Sequence, residues 1–196
     1  MIELRIEPLA QSLLPDTARM LARAFVTNPL HVAAFGEGAM ARNEAFFRTA
    51  LGAMKGPKYV AYDADRLSGF IHWVHSAECQ QSPAEKARLL PAMMTGLGVS
   101  ASWRLIRWLS AWSRLDPREP HLHLGPIGVD PGAQGRGVGA RLMRLFCDEV
   151  DRQSLPGYLE TDRPQNVAFY ARSGFEVAAE AHVLGVRNFF MTRRAR

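Results

Sequence analysis

The sequence is poor in cysteine and in excess charge, and it lacks a long uninterrupted apolar run. Its two cysteines, Cys79 and Cys147, have neither metal-ligand spacing nor the number that a disulfide framework needs. The longest uncharged stretch, residues 89–103, is broken by proline and glycine and is too short for a bilayer helix. An acid, Glu3, stands where a signal peptide needs basic residues. These absences predict a cytoplasmic protein with reduced cysteines and no membrane association.

The charge balance does not indicate a nucleic-acid surface. Lysine and arginine exceed aspartate and glutamate by 24 − 19 = 5, and Arg193, Arg194 and Arg196 supply three of those charges. A composition of 47% hydrophobic and 22% charged residues is typical of a folded protein, and 196 residues suit one domain. We therefore predict a single domain over residues 1–196, with a variable helical insertion at about residues 76–120.

Hydrophobic periodicity predicts alternating helices and strands in the rest of the chain. Asp16 is predicted as the N-cap of the first helix. Gly125 and Pro126 interrupt the strand that starts near His121 and predict a bulge or the end of strand pairing there. The predicted helices cover residues 16–25, 39–51, about 135–152 and 166–172, and the predicted strands cover 58–62, 67–75, 121–129, 157–161, 175–183 and 186–192.

A glycine-rich segment between a strand and a helix carries the strongest functional signal. Gly135, Gly137 and Gly139 fall at the predicted helix start, where backbone amides are unpaired donors at the positive end of the helix dipole. Without side chains at these positions, a phosphate can approach the amides closely. The segment Gln134 to Ala140 is therefore predicted to bind an anion.

Two motifs compete for this segment. Gly135-x-Gly137-x-x-Ala140 satisfies the loose dinucleotide fingerprint, but only 56 residues follow Ala140, too few for the further βα units of that fold. Gln134-x-x-Gly137-x-Gly139, preceded by a strand ending in Val129-Asp130-Pro131, resembles the Q/R-x-x-G-x-G/A element of the GNAT superfamily of acyl-CoA N-acyltransferases.

A second element favours the GNAT resemblance. Asn166 and Tyr170, followed by Gly174-Phe175, resemble the family's block of an Asn and a Tyr four residues apart before a Gly-Phe pair. Spacing of four places both side chains on one helix face. The Leu159-Glu160-Thr161 run and the closing Phe190-Met191-Thr192 look most like the branch that contains puromycin N-acetyltransferase.

The resemblance implies an α/β (α+β mixed) GNAT fold: a central, mostly antiparallel sheet, splayed between its fourth and fifth strands and flanked by helices. It implies an N-acetyltransferase that moves an acetyl group from acetyl-CoA, its co-substrate, to an amine by direct attack in a ternary complex. A small-molecule or peptide amine would be the acceptor, and a homodimer is compatible with the sequence. The implied cofactor-binding residues are Ile127, Gly128, Val129, Gln134, Gly135, Arg136, Gly137, Val138, Gly139, Ala140, Asn166 and Tyr170.

Proton transfer is assigned to three candidate catalytic residues. A Tyr hydroxyl, with a pKa of about 10, can donate to the departing thiolate, and Tyr170 is the candidate acid. His123 lies on the strand where several family members carry a catalytic Glu, and this departure leaves the base open between His123 and Glu160. No metal site is predicted.

Two other functions fit the same residues: a non-catalytic acyl-CoA-binding module on this fold, and a nucleotide-dependent enzyme using the glycine-rich loop. Intact Asn166 and Tyr170 argue against the first, and the short C-terminal half argues against the second. The acceptor site is expected to be shaped by residues 25–35, 72–75 and 76–120.

Overall fold

A seven-stranded sheet forms the centre of the molecule over residues 4–196, the part of the chain that the computed structural model describes. The spatial order is β1-β2-β3-β4-β5-β7-β6, and every neighbouring pair is antiparallel except β4 and β5. In chain order the strands are β1 (Leu4–Pro8), β2 (Lys58–Asp63), β3 (Arg66–His75), β4 (Leu122–Val129), β5 (Gly157–Thr161), β6 (Glu176–Val183) and β7 (Val186–Arg193).

Helices cover both faces of this sheet. Alternate residues of β2 point to opposite faces: Val60 packs with α1 and α3, whereas Ala61 packs with α7. The helices are α1 (Leu14–Phe25), α2 (Pro29–Phe35), α3 (Met40–Ala53), α4 (Ser76–Cys79), α5 (Pro83–Leu97), α6 (Val99–Ser113), α7 (Val138–Gln153) and α8 (Pro164–Ala171). No helix in residues 4–196 is both long and apolar enough to span a bilayer.

The fourth and fifth strands pair over only two residues. Leu122 lies opposite Gly157 and His123 opposite Tyr158, and the strands then separate. On its other edge β4 pairs with β3, and the register shifts between Ile71 and Trp73. The predicted bulge at residues 125–126 is therefore confirmed. Beyond His123 the edge of β4 that faces β5 has no strand partner, so the predicted splay and mixed fold are confirmed as well.

The 76–120 segment forms α4, α5 and α6, and much of α6 packs against α2. Leu105 and Trp108 are buried with Phe35 in a cluster separate from the two that cover the sheet. Trp103, on the other side of α6, is 63% exposed.

One local prediction is wrong. Asp16 does not cap α1, because the helix begins at Leu14 and Asp16 pairs instead with Arg19, Nη1 to Oδ1 2.7 Å. The first helix ends at Phe25 as predicted, but Pro29 then opens a short helix, α2, that was not predicted, since a proline fits the first turn of a helix. Asp151 of α7 pairs with Arg193 of β7 at 2.8 Å.

Candidate active site

The separation of β4 from β5 opens a cavity of about 640 Å³. It extends from the start of α7, along the free edge of β4, to a wall formed by α1, α2, α3 and α6. Almost all the residues singled out from the sequence line it: His123, Ile127, Gly128, Val129, Gln134, Gly135, Gly137, Val138, Gly139, Ala140, Glu160, Asn166 and Tyr170. The structure therefore brings the two sequence motifs into one site.

Arg136 is the exception, because it is not among the lining residues. Its Nη1 lies 2.7 Å from Oδ2 of Asp63 at the end of β2. Neighbouring Gln134 does line the cavity, and its Nε2 donates to the Val129 carbonyl at 3.2 Å. A contact between Arg136 and a CoA phosphate stays a prediction, and it would require Arg136 to leave Asp63.

The glycine-rich segment forms a turn followed by the first turn of α7, so the helix begins later than the sequence suggested. Gly135 and Gly137 have φ of +74° and +83°, a left-handed backbone that favours glycine. A Cβ at either position would meet no atom within 4 Å, so the space beside them is open. Gly137 is the N-cap of α7 and provides no side-chain cap, which leaves the first amides of the helix as free donors.

Gly139 has a different role. A Cβ at this position would lie 3.4 Å from the Phe169 ring of α8, so the start of α7 packs directly against α8 here. The contact links the anion-binding turn to the helix that carries Asn166 and Tyr170.

An aspartate that the sequence did not single out fixes the end of β4. Asp130 is 2% exposed and accepts from Arg23 (Nη2, 2.7 Å) and Arg66 (Nη2, 2.6 Å). Its Oδ1 also accepts from the Gly132 amide at 3.1 Å. These bonds hold the chain in place where β4 ends and the anion-binding turn begins.

His123 sits between two carboxylates at the point where β4 and β5 separate. Its Nε2 lies 2.9 Å from Oε2 of Glu160, and its Nδ1 lies 3.5 Å from Oδ1 of Asp116. The same Asp116 oxygen lies 3.2 Å from Nε2 of His121. Asp116, in the loop between α6 and β4, was not identified from the sequence, because no motif marks an acid in an irregular segment.

The two carboxylates control the charge of His123. Burial alone would lower the pKa of His123, but attraction to Glu160 and Asp116 outweighs it and raises that pKa well above its usual value of about 6.5. Burial would likewise raise the pKa of Asp116, yet the donors of His121, His123 and Cys79 hold it well below its usual range. The resting cluster is therefore an imidazolium between acids.

A cysteine that spacing left unassigned joins this cluster. Cys79 Sγ lies 3.1 Å from Oδ2 of Asp116, and the donor atoms of Cys79, Asp116 and His123 all lie within 4.8 Å of one another. Cys79 and Asp116 lie 37 positions apart, on either side of most of the insertion, so no metal-ligand spacing is visible in the sequence. The positive charge of the His123 imidazolium is balanced by the carboxylates of Asp116 and Glu160.

Tyr170 presents its hydroxyl to the cavity from α8. Tyr170 is 6% exposed and lines the cavity. Its hydroxyl has no hydrogen-bond partner within residues 4–196. Burial, with the nearby carboxylates of Asp162 and Glu160, raises the pKa of Tyr170 above its usual value, so the hydroxyl keeps its proton. One turn earlier, Asn166 Nδ2 lies 3.3 Å from Oγ1 of Thr161.

Only some of the segments expected to shape the acceptor site line the cavity. Residues 72–75 of β3 do not line the cavity, because β4 lies between β3 and the splay. Phe25 and His31 do line it, as do Trp108 and Trp112 of the insertion. Asp162, which the sequence did not mark, accepts from the Leu30 amide at 2.7 Å and fastens the start of α2 to the end of β5.

A family model described as Acetyltransferase (GNAT) family matches residues 29–175, which contain the anion-binding turn and both site helices. The chain belongs to this family. The more specific likeness to the puromycin N-acetyltransferase branch stays a prediction.

Two curated GNAT relatives match parts of the chain. A mycothiol acetyltransferase from Jonesia denitrificans is 33% identical over 88 residues, covering 43% of this chain and 27% of the relative. The N-alpha-acetyltransferase RimI from Mycobacterium tuberculosis is 37% identical over 68 residues, covering 35% of this chain and 42% of the relative. Less than half the length of either relative is matched.

Solved structures share the fold over the whole chain. A Corynebacterium glutamicum protein described as histone acetyltransferase HPA2 and related acetyltransferase superposes with a TM-score of 0.76 at 20% identity. The superposition covers 100% of this chain and 98% of that one. At this identity the likeness shows the GNAT fold alone.

Proposed function

We propose that this GNAT protein is an acetyl-CoA-dependent N-acetyltransferase that acts on the amine of a small molecule or peptide in the cytoplasm. The observation that supports the proposal is one continuous cavity containing an anion-binding turn, the free edge of β4, a buried Tyr hydroxyl, and a carboxylate–imidazole chain. A protein that only binds acyl-CoA would not need the last two groups.

Acetyl-CoA fits the cavity by its chemistry. The free amides from Gly135 to Ala140 suit the pyrophosphate, because they combine unpaired donors with the positive end of α7. The edge of β4 over Ile127–Val129 offers backbone groups to the amide-containing pantetheine arm. In this placement the thioester would reach the splay, near Tyr170 and Glu160.

The reaction forms a bond between the amine nitrogen and the acetyl carbon and breaks the carbon–sulfur bond of the thioester. An amine with a pKa of about 10.4 must first lose a proton. We propose that Glu160, which lines the cavity, takes this proton and passes it to Nε2 of neutral His123, 2.9 Å away. Asp116 positions His123 and favours its charged form. Tyr170 donates its proton to the departing sulfur, and the second proton that the nitrogen loses as the amide forms restores the Tyr170 hydroxyl.

The first test compares ligands and acceptors on the whole protein. Acetyl-CoA at about 100 times its Kd should stabilise the folded state by about 2.7 kcal/mol, measured by thermal unfolding, and NAD and ATP at equal concentration should do far less. Acetyl-CoA should then release free thiol only when an amine is added. Stabilisation without thiol release across a broad amine panel would instead support a binding module, and stabilisation by NAD alone would support a nucleotide enzyme.

A second test uses pH. Because His123 must be neutral to receive the proton, kcat/KM should rise with pH through the His123 pKa, which lies well above 6.5. Asp116→Asn removes one of the two carboxylates that raise this pKa, so the acidic limb of the profile should move to lower pH. His123→Ala should remove the limb.

Asp65→Asn, in the exposed turn between β2 and β3, is the matched control and should leave the limb in place. Retained stabilisation by acetyl-CoA shows that each variant is folded. An acidic limb at the same pH in Asp116→Asn and in the unmodified protein would contradict the assignment of His123 as the proton acceptor.

A further inference from the structure

A buried histidine on α2 has a fixed tautomer. Nδ1 of His31 lies 2.6 Å from Oδ1 of Asn43 on α3, and Asn43 Nδ2 donates to the Ala39 carbonyl at 2.9 Å. The amide orientation makes Oδ1 the acceptor, so Nδ1 of His31 carries the hydrogen and Nε2 carries a lone pair. Burial lowers the pKa of His31 to about 4, so the ring is neutral near pH 7.

The lone pair of His31 is available to a ligand. His31 is 4% exposed and lines the cavity. Its Nε2 has no hydrogen-bond partner within residues 4–196, and it is not among the atoms sealed from solvent. A hydrogen-bond acceptor with no donor therefore remains accessible in a buried wall of the cavity. Such an atom is matched by a ligand that brings a donor.

Aromatic rings surround this acceptor. The ring centroid of His31 lies 5.0 Å from that of Phe25, 5.6 Å from Phe46 and 5.2 Å from Trp108. We call the cavity-lining rings of α1, α2, α3 and α6 the aromatic chamber, which consists of Phe25, His31, Phe46, Phe47, Trp108 and Trp112.

The carboxylates of the cavity come from its β5 side. Glu160 and Asp162, the carboxylates among the lining residues, belong to β5 and the residue that follows it. Asp162 reaches the start of α2, where its Oδ2 accepts from the Leu30 amide at 2.7 Å. The elements that form the aromatic chamber contribute no carboxylate of their own to the lining. A second ammonium group among the rings would lose its hydration, and the carboxylate that reaches α2 is already bonded to a backbone amide, so this placement is unfavourable.

We propose that the aromatic chamber is the acceptor subsite and that the acceptor is an arylalkylamine whose ring carries a hydrogen-bond donor. Its ring packs among Phe25, Phe46 and Trp108, and its ring donor binds Nε2 of His31. Its amine extends toward Glu160 at the splay. This inference rests on the proposed acetyltransferase function and adds the class of acceptor.

Matched amines test the inference by acetyl-CoA-dependent thiol release. Tyramine and phenethylamine differ by one hydroxyl, and tryptamine and 1-methyltryptamine differ by one ring N–H. In each pair, the amine that carries the ring donor is tyramine or tryptamine. Its kcat/KM should be about 2- to 10-fold higher than that of its partner if the donor reaches His31, as expected for one hydrogen bond. Phenethylamine should exceed 2-cyclohexylethylamine by about 2- to 10-fold, because aromatic contacts add to area burial. Agmatine and spermidine should be the poorest acceptors.

Substitutions in the aromatic chamber test whether its residues cause the preference for aromatic, donor-bearing amines. His31→Phe keeps a ring but removes the lone pair, so the ratio of kcat/KM within at least one donor pair should fall to about 1. Phe46→Ala should reduce the ratio of phenethylamine to 2-cyclohexylethylamine. Trp103→Ala, on the exposed side of α6, is the control and should leave all the ratios unchanged.

The outcomes separate this inference from the proposed function. Acetylation of amines with no aromatic preference, or with agmatine preferred, would overturn the inference and leave the acetyltransferase in place. Donor-pair ratios near 1 in the unmodified protein, or ratios that persist in His31→Phe, would overturn the role of His31. If acetyl-CoA neither stabilises the protein nor releases thiol with any amine, the proposed function itself fails.

Discussion

Replacing Tyr170 with Phe should lower kcat by about 10²- to 10⁴-fold, the usual contribution of a general acid. The substitution keeps the ring packed against Phe169 and Phe175 and removes only the hydroxyl that faces the cavity. Stabilisation by acetyl-CoA should change little, because the phosphate-binding amides are untouched. Steady-state kinetics on the best acceptor, with thermal unfolding in acetyl-CoA, measures both quantities.

Tyr59→Phe provides the matched control for this loss. Tyr59 stacks on Trp73 with ring centroids 5.3 Å apart and does not line the cavity, so its variant should keep the parent kcat. If Tyr170→Phe also turned over at the parent rate, Tyr170 would be a packing residue. The leaving thiolate would then take its proton from water.

Gly137→Asp should abolish the stabilisation of about 2.7 kcal/mol that acetyl-CoA gives at 100 times its Kd. The aspartate would place a carboxylate in the open space beside the α7 amides, where it would both fill and repel the phosphate position. Its φ of +83° would also strain any side chain. Thermal unfolding with and without acetyl-CoA measures the loss.

A control must distinguish the backbone strain in Gly137→Asp from its loss of acetyl-CoA binding. Gly185, in the turn between β6 and β7, has a φ of +79°, and a Cβ there would also meet no atom within 4 Å. Gly185→Asp therefore adds the same residue to a similar backbone away from the cavity. It should lower the Tm without ligand but keep the full acetyl-CoA effect. Equal ligand effects in Gly137→Asp and the parent would show that the turn does not bind the phosphates.

Part of this site could be predicted from the sequence because it depends on residues that are close together in the chain. Gly135 and Gly137 mark an open turn at a helix start, and spacing of four places Asn166 and Tyr170 on one face of α8. These relations depend on the backbone within one or two turns. The interruption at residues 125–126 is equally local, since proline has no amide to donate to a β-ladder. This interruption predicted the bulge in β4, which lies in the part of the strand whose other edge, facing β5, has no partner.

Helix boundaries were harder to predict where one residue type is compatible with both the end and the start of a helix. No helix was predicted over residues 29–35, although proline suits a first helical turn, and the structure shows that Pro29 opens α2. The start of α2 is bonded to Asp162, which accepts from the Leu30 amide across 132 positions of sequence. A bond of that range leaves no pattern within the α2 segment.

By itself, the sequence indicated the glycine-rich turn and the Asn166–Tyr170 helix, because each follows from residues close together in the chain, and the resemblance of these motifs to the GNAT family implied the fold class. Only the tertiary structure decided the environment of His123, where Asp116 comes from an irregular loop and Glu160 from a neighbouring parallel strand. It also decided the charge state of that histidine, since the pKa depends on burial and on both carboxylates. The aromatic chamber likewise exists only after α1, α2, α3 and α6 pack together, because no single segment contains its rings.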